Sequence, residues 1–244
     1  LNEFNNSKEI VEKARIVGIK FILTNAVDLD SMKKCIALSN QFEDVECALG
    51  LHPSNLLRMT EKEIEGTLAF LEENIDSAVA VGEIGLDFKH AQSGEQRELQ
   101  KKYFAAQLKI ADRKNKPVVV HSRLAVSEAM DLLEGFKGRI LFHWFSGSLE
   151  DLERAVEMGG FFSVGPAVEF DALIKEIAKQ IPVNRLFSET DAPVPFRGKQ
   201  SDPSWAVRVV EEIAKLKGES TEEIEKSIES NLELFLGSMR RYQQ

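Results

Sequence analysis

Five short apolar runs in this chain each lead into a residue able to bind a metal. Cys47–Gly50 leads to His52, Ala78–Gly82 to Glu83, Val118–Val120 to His121, Ile140–Phe142 to His143 and Leu186–Thr190 to Asp191. A buried strand ordinarily ends in turn chemistry. Imidazole and carboxylate groups are tolerated repeatedly at the mouth of a sheet only when something charged sits among them. The chain has four histidines, and three of them stand at these positions. The fold must therefore gather several strand ends around one point.

The remaining pattern agrees. Strands are predicted at Lys20–Thr24, Glu46–Gly50, Ala78–Gly82, Pro117–His121, Arg139–His143, Phe161–Val164 and Leu186–Thr190. They are short and apolar, as strands buried on both faces should be. Amphipathic helices are predicted between them at Ser7–Val17, Asp30–Phe42, Thr60–Asn74, Ser93–Asn115, Ala125–Glu134, Leu149–Met158, Phe170–Gln180, Pro203–Lys217 and Thr221–Leu236. Thr60 with Glu63 and Ser93 with Gln96 match the capping box, and Asp202-Pro203 reads as an N-cap followed by an N1 proline. Such alternation gives an open doubly wound sheet or a (β/α)8 TIM barrel. No Gly-rich phosphate loop follows the first strand, which disfavours the open sheet. A closed barrel also brings five strand ends to one axis. We expect the α/β barrel, with its eighth strand, the first in order, lying before Leu1.

Length and charge narrow the class. At 244 residues the chain suits a single barrel, and no linker divides it, so one domain over 1–244 is expected. No apolar run approaches the ~18 residues of a membrane span. Cys35 and Cys47 are isolated and read as reduced, buried thiols, which fits the cytoplasm. A formal charge of -9 excludes passive coating of nucleic acid, but not an enzyme that meets phosphate through metals and a few local basic residues.

Mixed histidine nitrogen and carboxylate oxygen suits Zn, Mn, Co or Mg, and differs from a thiolate-rich structural zinc site. Glu83, between the histidine positions, is the candidate to bridge two divalent ions. A pair about 3.5–4 Å apart activates a water and steadies the leaving oxygen in displacement at phosphorus. Side-chain alternation makes Glu189 a companion of Asp191, and Arg123 of His121. Each residue also has a plainer reading. His52 can bond within a turn, Glu83 can pair with a nearby cation, His121 and His143 can be satisfied core histidines, and Asp191 can form a turn. Asp87 stands evenly between supporting the site and shaping a turn, and His90 reads as solvated.

The segments GLHP (50–53), GEIGLDF (82–88), VVVHSR (118–123), FHWFSG (142–147) and ETDAP (189–193) are similar to the signature of the TatD-related metal-dependent deoxyribonucleases. The likeness runs in order along the chain and includes EQRELQKKYFAAQLKIA and NLELF (231–235). It implies a TIM barrel holding a metal pair and hydrolysing DNA phosphodiesters, with single strands or strand ends as the expected partner. Glu83 then corresponds to the bridging carboxylate, His121 and His143 to metal ligands, and Asp191 to the ligand that orients or deprotonates the attacking water. His52 matches a substrate-side histidine, and Arg123 is placed to offset phosphate charge. Arg197 and Lys199 resemble the family's arginine loop and touch phosphate or stand solvated. Trp144, Phe145 and Phe88 stack a base or pack in the core. The family opens with an H-x-H strand, absent here and expected upstream of Leu1; without it metal binding is expected to be poor. Three alternatives stay open: an amidohydrolase-like enzyme on a small molecule, an ester hydrolase on aminoacyl-tRNA, and a degenerate, non-catalytic barrel.

Overall fold

The computed structural model describes residues 1–237, so the last seven residues of the expected domain lie outside the described part. From the N-terminus the elements are α1 (Ser7–Ile16), β1 (Ile22–Asn25), α2 (Leu29–Gln41), β2 (Val45–Leu49), α3 (Pro53–Leu56) and α4 (Glu61–Asn74). There follow β3 (Ala80–Asp87), α5 (Gly94–Arg113), β4 (Val118–Arg123), α6 (Val126–Leu133), β5 (Ile140–Phe142), α7 (Leu149–Glu157) and β6 (Phe161–Val164). The chain closes with α8 (Ala172–Gln180), β7 (Leu186–Ser188), β8 (Pro195–Phe196), β9 (Lys199–Gln200), α9 (Ala206–Lys217) and α10 (Thr221–Leu236). Every strand and helix predicted between Leu1 and Leu236 is present. One strand differs in kind: β3 runs on to Asp87, so Glu83 lies within it and not beyond its end. The four-residue α3 and the β8–β9 hairpin were not anticipated.

Contacts divide the chain into two compact units. The first holds Phe21–His143 together with Asn2. Within it β1 to β5 pair in parallel and in sequence order, with Ile22 opposite Val45, Ala48 opposite Ala80, Val81 opposite Val118 and Val118 opposite Ile140. β2 and β3 are buried along their whole length, as expected for parallel strands covered on both faces. Capping boxes start three of its helices, at Asp28 with Ser31, Thr60 with Glu63, and Ser93 with Gln96. Each satisfies amide groups that would otherwise be orphaned at a helix start. Beside α3, Leu51, Leu56, Ile64 and Tyr103 form a buried cluster that anchors the segment carrying His52.

The second unit holds Leu1, Glu3–Lys20 and the chain from Trp144 onward. Here β6 pairs in parallel with β7, Phe162 opposite Leu186 and Val164 opposite Ser188. Phe161, Phe187 and Phe235 meet at 5.6–5.9 Å between ring centres. Asn231 in α10 donates to the carbonyls of Val183 and Leu186, both at 2.9 Å, which ties that helix to β7. The NLELF segment is thus a docking device: an amide for the strand backbone and a ring for the core. Lys13 of α1 pairs with Asp202, the N-cap of a 3₁₀ turn over Pro203–Trp205.

Cys35 and Cys47 are buried and unbridged. Burial pushes the Cys47 thiol up to about 12 and raises that of Cys35, so both behave as small apolar groups. Among the described residues no helix is long and apolar enough to cross a membrane.

Candidate metal centre

Glu83 owes its position to two glycines. The β3–β4 register slips between Val81 and Ile84, forming a bulge around the glutamate. A Cβ on Gly82 would stand 2.6 Å from that of Val119. Gly85 has φ +136, and a Cβ there would lie 2.0 Å from the His121 carbonyl oxygen. Only glycine lets β3 come this close to β4 while turning the glutamate to its chosen side. The Glu83 N–H then donates to the carbonyl of Ala26, beyond β1, at 3.0 Å.

One carboxylate oxygen collects three imidazoles. Glu83 Oε1 lies 2.8 Å from His121 Nδ1, 3.4 Å from His52 Nε2 and 3.7 Å from His143 Nε2. The His52 and His121 rings meet edge to face at 4.5 Å. Burial of Glu83 favours its neutral acid, yet the charges of His143 and His52 and the hydrogen bond from His121 outweigh burial and hold its carboxyl well below the usual range. Glu83 is therefore an anion with only 8% of its surface exposed.

His121 is held from both sides. Its Nε2 lies 3.2 Å from Asp87 Oδ2 and its Nδ1 faces Glu83. Burial favours the neutral ring, but hydrogen bonds to Asp87 and Glu83 raise its pKa to about 9. Burial of Asp87 acts against its charge, and hydrogen bonds from His121 and His90 reverse this and hold its carboxyl well below the ordinary aspartate range. His90 Nδ1 lies 2.8 Å from Asp87 Oδ2, and its backbone N–H donates to Oδ1. The expectation of a solvated His90 agrees with its exposed ring, and the structure adds these two hydrogen bonds to Asp87. Asp87 resolves toward the supporting role, because its Oδ2 faces His121 Nε2 while Nδ1 of the same ring faces the Glu83 carboxylate. A carboxylate behind the far nitrogen is the usual support of a metal-binding histidine.

The donor set fits a divalent ion. Ligand atoms of His52, Glu83 and His121 all lie within 4.8 Å of one another. His52 is set apart by its hydrogen bonds. Its Nδ1 accepts from the backbone N–H of Ser54 at 3.2 Å, which puts the ring hydrogen on Nε2, facing Glu83. Its Nδ1 also lies 2.8 Å from the Ser54 hydroxyl, so the turn reading of His52 holds while its Nε2 faces Glu83. His143 Nε2, 3.7 Å from the same Glu83 oxygen, brings a further nitrogen to this cluster.

Two buried glutamines, invisible as site residues in the sequence, hold the segments that carry this cluster. Gln100 of α5 accepts from the Asp87 N–H at 2.9 Å and donates to the Pro53 carbonyl at 3.0 Å. Gln107 accepts from the Leu51 N–H at 2.7 Å and donates to the Leu51 carbonyl at 3.1 Å. Arg123 ends β4 with its side chain exposed, outside the contacts that join the cluster.

The other anticipated residues lie in the second unit. Asp191 follows β7 with φ +48, a left-handed conformation that aspartate tolerates better than most side chains. Its carbonyl accepts from the Val194 N–H at 2.9 Å. Glu189 Oε2 accepts from the Ser163 hydroxyl at 2.6 Å. Arg197 sits in the turn of the β8–β9 hairpin, beside Lys199. Phe145 packs edge to face on Phe162 at 5.3 Å and is buried, so it belongs to the core. In the first unit Phe88 is also buried, beneath the Arg97 guanidinium.

The sequence matches the family described as TatD related DNase over residues 1–237. It is 33% identical over 229 residues to the uncharacterized metal-dependent hydrolase YabD of Bacillus subtilis, covering 89% of this chain and 87% of that protein. It is 32% identical over 241 residues to the human protein named deoxyribonuclease TATDN3, covering 93% and 88% respectively. The crystal structure of YjjV, a TatD homologue from Escherichia coli, matches with a TM-score of 0.84 at 29% identity, over 94% of this chain and 91% of that one. A TatD-family hydrolase from Entamoeba histolytica shares the fold at a TM-score of 0.86 and 20% identity, over 98% and 91%. The fold is thus the TIM-barrel type, one of the two architectures that the alternating pattern allowed. With its carboxylate ringed by imidazoles, the chain belongs to the TatD-related DNase family of metal-dependent hydrolases.

Proposed function

We propose that this protein is a deoxyribonuclease that hydrolyses phosphodiester bonds in single-stranded DNA or at strand ends, working in the cytoplasm with two divalent ions from among Mg, Mn, Zn and Co. The observation that carries the reading is the convergence of His52, His121 and His143 on one oxygen of Glu83. Glu83, His121 and His143 are the proposed ligands, and the likeness of the ETDAP segment adds Asp191. When bound, divalent ions supply Lewis acidity: they lower the pKa of a water and offset charge on the phosphoryl oxygens.

The chain's own groups carry the rest of the chemistry. Asp87 keeps the hydrogen on His121 Nε2, which fixes the ring's direction and tautomer. His52 offers its Nε2–H to a phosphate oxygen, a role that leaves it outside the ligand set. Asp191 takes the proton from the attacking water as the new P–O bond forms and the bond to the leaving sugar oxygen breaks. Arg123, exposed at the end of β4, and Arg197 offset the negative charge of neighbouring phosphates.

The test is cleavage of end-labelled single-stranded DNA by purified protein with and without divalent metal. Metal-dependent release of nucleotides, lost in Asp191→Asn while the variant stays folded, supports the reading. Cleavage of carboxylic ester or amide substrates with none of DNA would replace it with a small-molecule or aminoacyl-tRNA hydrolase. Absence of metal uptake would leave a non-catalytic barrel.

A further inference from the structure

Three aromatic rings and a guanidinium form a ladder in the second unit. Phe170 and Phe196 stack with centres 4.9 Å apart and planes 28° apart. Trp144 lies 6.4 Å from Phe196, and the Arg197 guanidinium sits 4.5 Å from the centre of the Phe170 ring. None of the four is buried: Trp144 and Phe196 are half-buried, Phe170 is 40% exposed and Arg197 is exposed. The Phe161, Phe187 and Phe235 cluster of the same unit is buried. A ring cluster that served only packing would be withdrawn in the same way, whereas exposed aromatic surface beside charge marks a place where something binds.

The backbone gives a second, independent sign. Arg197 and Gly198 have φ of 49 and 77 in the two-residue turn between β8 and β9, as a type I′ hairpin turn demands. Such a turn prefers asparagine or glycine where arginine stands here. Trp144, directly after His143 in the chain, also has a left-handed φ of 41, rare for so bulky a residue. Two members of one ladder thus hold unfavourable backbone conformations, a pattern that concentrates at binding and catalytic sites.

Charge selects the occupant. Arg197 and Lys199 are exposed and, among the described residues, pair with no carboxylate, although the chain as a whole carries -9. Partly exposed rings beside cations that pair with no carboxylate match an unpaired nucleobase with its phosphates: the base stacks and the cations meet the backbone. A paired base inside a duplex has no free face to offer. We infer that Trp144, Phe196, Phe170 and Arg197 form a base-stacking platform for an unpaired nucleotide, with Arg197 and Lys199 meeting its phosphates. The identity of the strand rests on the deoxyribonuclease reading, but the platform concerns binding, so each can fail without the other.

The test compares two labelled eight-nucleotide strands by fluorescence anisotropy on the intact, metal-loaded protein, both with phosphorothioate linkages to slow turnover. One is oligothymidylate and the other carries abasic sites throughout. The wild type should bind the strand with bases about tenfold more tightly, the scale of one base–aromatic stack. Phe170→Leu and Phe196→Leu, which keep apolar bulk but remove the ring, should erase that preference, and Phe170→Tyr should retain it. Equal binding of the two strands by the wild type overturns the platform, and this arm needs no variant to fold. Leucine variants that weaken both strands alike overturn it too. Base preference without DNA cleavage upholds the platform and removes the nuclease reading, whereas cleavage without base preference does the reverse.

Discussion

Asp87 shows how much of this cluster depends on a residue outside the proposed ligand set. It is almost fully buried, and it is the only contact that fixes which nitrogen of His121 faces Glu83 among the interactions described. Replacing it with asparagine should weaken divalent-metal affinity about 10- to 100-fold, the usual effect of losing the support behind a metal-binding histidine. Calorimetric titration checks this, and an unchanged affinity would return Asp87 to a turn-shaping role. Gly85 is the second critical residue. With φ +136 and no space for a Cβ beside the His121 carbonyl, Gly85→Ala should cost about 3 kcal/mol or more of stability. Urea unfolding measures this directly, and a change under 1 kcal/mol (about the scale of an ordinary helical glycine substitution) would mean the bulge relaxes easily.

The elements were legible from sequence where periodicity was strong, and illegible where one residue type has two uses. The seven apolar runs that predicted parallel strands are all strands, because runs this short between helical segments are too brief for buried helices. β3 was cut short at Gly82, since glycine usually punctuates; here Gly82 and Gly85 mark a bulge inside the strand. His52, Glu83, His121 and His143 were readable because charge at several strand ends demands an explanation. Gln100 and Gln107 were not, because glutamine on an amphipathic helix looks like solvent-facing surface. Their burial gives a prediction: Gln107→Leu leaves both the N–H and the carbonyl of Leu51 without this partner and should destabilise the fold by about 1–3 kcal/mol. Another concerns α1, held by the Lys13–Asp202 pair. Burial opposes the Asp202 charge, but Lys13 and Ser204 hold its carboxyl below the usual range. A depressed acid contributes stability above its unfolded pKa, near 4, that is lost as pH falls through the lower folded value. Asp202→Asn should therefore be less stable than wild type at pH 7 by under about 1 kcal/mol, given the exposed lysine. The gap should narrow in parallel urea titrations as the pH falls below the usual aspartate range.

At the scale of the molecule, a chain with formal charge -9 would have to confine its attraction for the proposed DNA substrate to a few groups. Arg123, Arg197 and Lys199 are the exposed cations that this account assigns to phosphate. Two or three phosphate contacts to a single strand predict a shallow salt dependence, a slope of log K against log salt of about -1.4 to -2. A slope several times steeper would mean a broad basic surface that this composition lacks. The central claim is that the Glu83 cluster is a metal centre that performs hydrolysis. The most direct measurement is a divalent-metal titration of wild type and Glu83→Gln that follows bound metal and single-stranded DNA cleavage in the same samples. The account predicts that wild-type cleavage rises in step with metal occupancy, and that Glu83→Gln, folded by circular dichroism, loses both together. Metal uptake and cleavage that survive in Glu83→Gln would contradict it.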